Sequence, residues 1–516
     1  MNMSEAISKT AIEAPQNKLL DRAGLRGFPW VPAIVLYTIS WGWLLIAGDV
    51  NVLDEPLYWR TYISFEENGF APWIDFIYTD LFDFIYPYFG LLVYVSFFIM
   101  GLCSFQIARK LSFLSTSDAQ FATLLVLVIQ FNTARVSSMT LVYTLSLMMF
   151  FVAWSLLISS KKVFLRVLSL CLFFFSFCTH SLLAFFLVPV FHLFFLSGSL
   201  KVRPAFTWLA KNIVIILLPT SYILLRAIFW TDNPNYHDLS YSKIFNGVAF
   251  LFAFTVGGSS FFLLHHKFKV WNPTGFRTLG IGVLVSGVGS IAYFALGFYQ
   301  PDLTFFKTFS ITFLGRSAWF SRHQILQPFG MALLIVGLIS LTSIKYLNFA
   351  RFLKFASIGI CLLLNACFGF EYLVDSKKQN EIIGELSISK TDSGTDSYVF
   401  IDSIPFMNAR GRPYKESTFA VFIHRSRNGG EKDKLLNSFA PARISFICAN
   451  FSNRKWVLIK GPRTHWRALK NWASDGDMGF EVTIDDSPGA CKPELMQIER
   501  VSGVIPILFY FTGAKN

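Results

Sequence analysis

The stretch SSMTLVYTLSLMMFFVAWSLLI, residues 137–158, runs for 22 positions without a charged side chain. As a helix it would rise ~33 Å, enough to cross the ~30 Å hydrocarbon core of a bilayer. Its side chains are continuously apolar and do not alternate, so a helix is expected and a barrel strand is not. Working outward, comparable runs lie at roughly 29–47, 86–107, 118–132, 163–178, 181–197, 212–229, 244–264, 278–298, 325–343 and 352–373, giving eleven expected spans. The short ones at 118–132 and 163–178 suit tilted or partly re-entrant helices. A chain of 516 residues that is 53% hydrophobic and holds 58 Phe is not a soluble enzyme.

Residues 1–28 are polar and carry Lys9, Lys18, Arg22 and Arg26. The apolar run that follows is too long for a signal-peptide core and has no small-residue cleavage site, so it reads as a retained first span. Charge sets the orientation. The segments assigned inside (1–28, 108–117, 159–166, 198–211, 265–277 and 344–354) hold 18 Lys and Arg, against six in the outer loops: Arg60, Arg135, Lys243, Lys307, Arg316 and Arg322. The N-terminus is therefore expected in the cytoplasm and the C-terminal region outside. The net charge of +13 is spread over short inner loops, where it meets anionic lipid, so nucleic acid is excluded as a partner.

The expected architecture is mainly α: a cytoplasmic tail (1–28), a polytopic transmembrane helical bundle (29–373) and a C-terminal extramembrane α+β domain (374–516). The last has 20 Lys and Arg against 16 Asp and Glu, a soluble balance, and begins with a polar linker, Asp375–Asp396. Strand-like runs lie at Tyr398–Ile401, Ile444–Ile447, Trp456–Ile459, Phe480–Ile484 and Val504–Phe511, with helices expected near Tyr414–Arg425 and Thr464–Trp472. Cys103, Cys171, Cys178, Cys361 and Cys367 fall in spans and are expected as core thiols. Cys448 and Cys491 stand in the external domain, where they either pair in an oxidising compartment or remain buried thiols.

Chemistry is sought first where charge is out of place. The loop Gly48–Ile85 carries Asp49, Asp54, Glu55, Glu66, Glu67, Asp75, Asp80 and Asp83 against one cation, Arg60. Asp54 or Glu55, a few residues past the first span, would suit a base that takes a proton from a sugar hydroxyl. The alternative is a set of solvated acids. The outer loop Tyr299–Gln324 breaks the charge rule in the other direction, with Lys307, Arg316, Arg322 and His323. Guanidinium forks match phosphate oxygens, so a lipid phosphate is one partner; the acidic loop or lipid headgroups are the other. His180, at the turn Phe177–Ser181, either binds substrate hydroxyls or caps a helix, and Asn132 and Arg135 at the preceding outer turn carry the same two readings. Gly280, Gly282, Gly287 and Gly289 lack a strand-turn-helix setting and read as close helix contacts. No Walker A loop, HExxH, CxxC or metal-spaced cluster occurs, so no cofactor is expected, a divalent metal has no support in the residues, and an ATP-driven pump is excluded.

An inner N-terminus, one span, an acidic outer loop with Asp54-Glu55, about ten further spans and an external domain together resemble the GT-C class of membrane glycosyltransferases. Phe131-Asn132-Thr133-Ala134-Arg135, Thr179-His180-Ser181-Leu182-Leu183 and Ser321-Arg322-His323-Gln324 are similar to phrases in uncharacterised bacterial members. The resemblance covers most of 29–373. It implies a bacterial inner-membrane enzyme with a polyprenyl-phosphate-linked sugar as donor and a glycan, lipid or protein acceptor at the outer face. It carries the base onto Asp54 or Glu55 and the lipid-phosphate contact onto Arg316 and Arg322. Where some of its families have Asp-Asp, this chain has Asp-Glu. Arg60, Arg135, His180 and His323 complete the expected substrate-binding set. Two alternatives remain: a polymerase or ligase of O-antigen or other cell-surface polysaccharide, which shares donor chemistry and topology, and, from a different class, a lipid-glycan transporter or a non-catalytic assembly subunit. The transporter needs a polar path through the spans, and few ionisable residues lie at mid-span.

Overall fold

The computed structural model describes residues 25, 27–46, 76, 82–85, 88–136, 140–160, 162–196, 202–229, 273–295, 324–342, 346–388, 398–401, 456–460 and 496–498. The helices among them are α1 (Trp30–Trp41), α2 (Phe82–Ile85), α3 (Phe89–Arg109), α4 (Thr116–Val128), α5 (Leu141–Ser159), α6 (Val163–Ser176), α7 (Ser181–Phe185), α8 (Leu187–Leu196), α9 (Val202–Lys211), α10 (Ile213–Phe229), α11 (Pro273–Ala295), α12 (Gln327–Thr342) and α13 (Leu347–Ile388). Short 3-10 turns cover Gly42–Leu45 and Thr133–Val136. Three strands, β1 (Tyr398–Ile401), β2 (Trp456–Lys460) and β3 (Met496–Ile498), form an antiparallel sheet in that order, with Val399 opposite Ile459 and Val457 opposite Gln497.

The described residues are predominantly helical. Phe89–Arg109, Leu141–Ser159 and Leu347–Ala366 are long and apolar enough to cross a membrane. Large apolar side chains face outward on several helices, as expected of helices in lipid: Phe355 is 78% exposed, Val163 77% and Ile228 71%. Cys171 lies on such an exposed face, so it is not the core thiol expected of it, whereas Cys103 is buried. The span containing residues 244–264 lies outside the described residues.

Neighbouring helices reverse direction. Tyr37 Oη of α1 donates to Tyr94 O near the start of α3 (2.7 Å), and Ser169 Oγ of α6 donates to Ala153 O of α5 (2.7 Å). Helices α1, α4 and α13 run parallel. At one end Gln120 Nε2 donates to Gly27 O (2.7 Å) and Lys354 Nζ meets Asp118 Oδ1 (2.9 Å). At the other end Trp41 Nε1 donates to Leu127 O (3.0 Å) and Asn365 Nδ2 to Val128 O (2.6 Å).

Local chemistry accounts for several boundaries. Helix α4 begins at Ser115, whose Oγ accepts from Asp118 N (3.1 Å) and donates to Asp118 Oδ2 (2.7 Å), so cap and first-turn acid support each other. The expected span 181–197 is two helices. Pro189 has no N–H for the carbonyl of Phe185, and the helix parts at Phe186. The tightest pairing, α11 on α12, rests on glycine: a Cβ on Gly282 would sit 2.6 Å from Leu334 N, and one on Gly337 2.6 Å from Leu279 N. Gly282 and Gly289 thus act as expected, letting backbones meet.

Two expectations need correction. Helix α13 continues to Ile388, through the first part of the supposed linker 375–396. Lys, Gln, Glu and Leu are strong helix formers, so the helix outlasts the apolar pattern that predicted its end. The expected span 118–132 is helical only to Val128; Ile129 turns extended (φ −67°, ψ 143°) and is the first of four residues of irregular backbone before the 3-10 turn.

Candidate functional site

That break in α4 is the most polar buried place described. Ile129 and Phe131 pack against Met331 of α12. The residues alternating with them, Gln130 and Asn132, are amides, 3% and 1% exposed. Asn132 takes φ +58°, a left-handed conformation that asparagine tolerates better than most residues. This reverses the chain into the Thr133–Val136 turn, where Arg135 N donates to Asn132 O (3.2 Å).

Arg135 folds back under the turn and is 2% exposed. Its Nε donates to Asn132 O (3.0 Å) and its Nη2 to Phe131 O (2.6 Å). Its guanidinium carbon lies 3.9 Å from the centroid of a Trp41 ring and 3.6 Å from that of Phe97. Two desolvated cation–π contacts, at about 2 kcal/mol each, and two charge-assisted bonds to carbonyls, about 1.5–3 kcal/mol each, offset a desolvation cost of several kcal/mol. Burial pulls the Arg135 pKa down to about 9, so the group stays cationic at neutral pH. Among the described residues no carboxylate lies within ion-pair distance of it.

Aromatic side chains brace the cage. Trp41 is pinned by its bond to Leu127 O, and Trp43 Nε1 donates to Ser40 O (3.0 Å). Trp43 stacks on Tyr372 of α13 with ring centroids 5.2 Å apart and planes 8° apart. Gly369 permits that approach, since a Cβ there would come within 2.5 Å of the Trp43 indole. Gly42 separates the two indoles in sequence, and α13 meets both the indole of Trp43 and the end of α4.

The amides are left over. Gln130 Nε2 and Oε1, Asn132 Nδ2 and Oδ1, and Asn365 Oδ1 are buried without a hydrogen-bond partner among the described residues. Each such group costs about 1–3 kcal/mol relative to a satisfied one. Ser40, Ser104, Thr144, Thr179, His192 and Ser286 each leave one such atom, whereas Gln130 and Asn132 each leave a whole amide close in sequence to a buried cation.

Of the residues singled out from sequence, Arg135 and Asn132 come together in this cage. His180 lies at the same end of the bundle, since Cys178 Sγ is 3.0 Å from Ser146 Oγ near the start of α5. Its ring faces Arg226 of α10, with Nη1 2.7 Å from Nε2 and 3.3 Å from Nδ1. Nε2 is the acceptor there, so this imidazole is held neutral as an arginine's acceptor. Asp54, Glu55, Arg60, Arg316, Arg322, His323, Cys448 and Cys491 lie outside the described residues. Sequence reasoning missed Gln130, Asn365, Trp41, Trp43, Tyr37 and Tyr372. The available signal was Gln130 and Asn365 themselves, polar residues standing inside apolar runs. Comparison with protein families, curated proteins and solved structures finds no match to this chain.

Proposed function

We propose that this chain is a GT-C-like membrane glycosyltransferase, with about eleven spans and an external C-terminal α+β domain, acting at the outer face of a bacterial inner membrane. Its donor is a polyprenyl-phosphate-linked sugar, and its acceptor is a glycan, lipid or protein. One observation carries the reading: a buried guanidinium with no carboxylate beside it among the described residues, at the helix ends that the positive-inside pattern assigns to the outer face. A permanent cation in that position attracts an anionic oxygen, and the phosphate of a lipid-linked sugar arrives at that depth.

In the proposed reaction Asp54 or Glu55 takes the proton of an acceptor hydroxyl. The hydroxyl oxygen attacks the anomeric carbon, the bond from that carbon to the phosphate oxygen breaks, and the phosphate leaves on its lipid with the electron pair. Arg135, together with Arg316 and Arg322, stabilises the charge that grows on the departing phosphate. His180, Arg60 and His323 lie on the same outer side by the charge pattern and would line the acceptor approach.

The test is to mutate Asp54→Asn and Glu55→Gln separately and follow transfer of a radiolabelled sugar from polyprenyl phosphate into cell-surface material. One of the two should lose at least ~100-fold at normal protein level, the size typical of removing a general base. Full transfer by both variants removes the mechanism.

A further inference from the structure

The polar atoms at the α4 break separate two kinds of ligand. Three of the unpartnered buried atoms are acceptors: Gln130 Oε1, Asn132 Oδ1 and Asn365 Oδ1. Two are amide donors, Gln130 Nε2 and Asn132 Nδ2. A phosphate or diphosphate presents only acceptors at neutral pH, apart from a partial proton. It would satisfy the two donors and set its charge against three carbonyl oxygens. A ring of hydroxyls donates and accepts at each position, so it can meet both kinds of atom. Water can do the same, but water gives the chain no reason to bring a cation and two amides of residues 130–135 together with a third amide from α13.

We infer that Gln130, Asn132 and Asn365 form a hydroxyl-reading subsite that binds the sugar of the donor, with Arg135 beside it for the anionic linkage. This deepens the transferase reading and rests on it for the identity of the ligand. Two features support a built subsite. The backbone is unwound at Gln130 and Asn132, while Asn365 reaches in from α13 with its side-chain donor on Val128 O. The segment is also clamped from outside by Trp41 on Leu127 O and Asn365 on Val128 O, which fixes the amides before a ligand arrives. The three residues are specificity-determining and take no proton in the reaction.

The experiment uses the full-length protein in lipid nanodiscs, titrated with undecaprenyl phosphate and with a panel of its hexosyl esters (glucosyl, galactosyl, mannosyl and N-acetylglucosaminyl). The wild type should bind at least one ester about tenfold more tightly than the bare lipid phosphate, the gain expected from one or two satisfied buried bonds. Gln130→Met keeps the length of the side chain and removes its amide; Asn132→Gly removes the amide and keeps the left-handed backbone. Each should abolish the preference for the ester while changing affinity for undecaprenyl phosphate less than twofold. Equal binding of all esters and the bare lipid by the wild type overturns the subsite without using any variant, so a misfolded variant cannot rescue it. A variant that weakens ester and bare phosphate alike overturns it too. Failure of the transferase reading is separate: the wild type would keep the sugar preference yet transfer no labelled sugar from polyprenyl phosphate into cell-surface material.

Discussion

The two ends of α4 meet the same neighbours, α1 and α13, and treat polar groups in opposite ways. At the Ser115 end every prominent polar side chain has a partner: Ser115 with Asp118, Asp118 with Lys354, Gln120 with Gly27 O, and Thr123 with Ala119 O. At the Asn132 end a cation has no acid beside it among the described residues, and three amides keep unbonded atoms. Burial alone does not explain the contrast, because Thr123 is as buried as Asn132 and is satisfied. Polar groups that hold a fold arrive in pairs; groups left single in a rigid setting are held for something else. The predictions below test whether that division is real.

The largest effect is expected at Arg135. Arg135→Met keeps much of the apolar contact with Trp41 and Phe97 and removes the charge. Transfer of sugar should fall about 100-fold, or about 2.7 kcal/mol of transition-state stabilisation. Thermal stability should move by no more than about 1 kcal/mol, since replacing a buried ion by an apolar group also removes its desolvation cost. The opposite result, normal transfer with a strongly lowered melting temperature, would make Arg135 a structural pin and dissolve the contrast between the two ends.

Next comes the backbone at Asn132. With φ +58°, an alanine there meets the left-handed penalty of about 1–2 kcal/mol, and a glycine does not. Asn132→Ala should therefore lower stability by roughly that amount, and Asn132→Gly should leave it close to wild type. Thermal melts of the two purified variants decide it. If alanine is as stable as glycine, the reversal of chain at the break is not what positions Arg135.

Much of the helical framework was legible, and the site was half legible. Residues 137–158 became α5 (Leu141–Ser159) and 86–107 became α3 (Phe89–Arg109), because an uninterrupted apolar run is a signal local to the segment. The end of α4 was not legible in the same way. Ile129 and Phe131 continue the apolar count, so composition runs straight through a break that backbone geometry makes at Val128. Arg135 and Asn132 could be named because they stand at a turn between two runs. Asn365 stood out only as a polar residue inside an apolar run; its meeting with Val128, 237 residues away in the chain, is encoded by no local pattern. Trp43 on Tyr372 is the same case, a contact made by helix placement and allowed by Gly369.

Smaller effects belong to the paired end. Ser115→Ala removes the cap of α4 and should lower stability by about 1 kcal/mol, with transfer unchanged. A loss of transfer in this variant at full stability would show that the paired end also acts on the reaction, and the division of labour along α4 would fail.

Smallest of all is the ion pair itself. The side chains of Lys354 and Asp118 are 30% and 19% exposed, so water and salt reach both. Screening reduces such a pair to about 0.5 kcal/mol, even though the distance is a good 2.9 Å. Lys354 also spreads its ammonium over the Phe121 ring at 5.3 Å, a contact that Lys354→Met would partly replace with apolar cover. Lys354→Met should thus lower the melting temperature by only a degree or two at low salt, and the difference from wild type should shrink at about 0.5 M NaCl, where the Debye length falls to about 4 Å, close to the length of the pair. A loss that persists in high salt would mean the pair is sealed from solvent. Asp118 would then be a buried charge of the same kind as Arg135, and the two ends of α4 would differ only in whether the counter-charge is supplied by the chain.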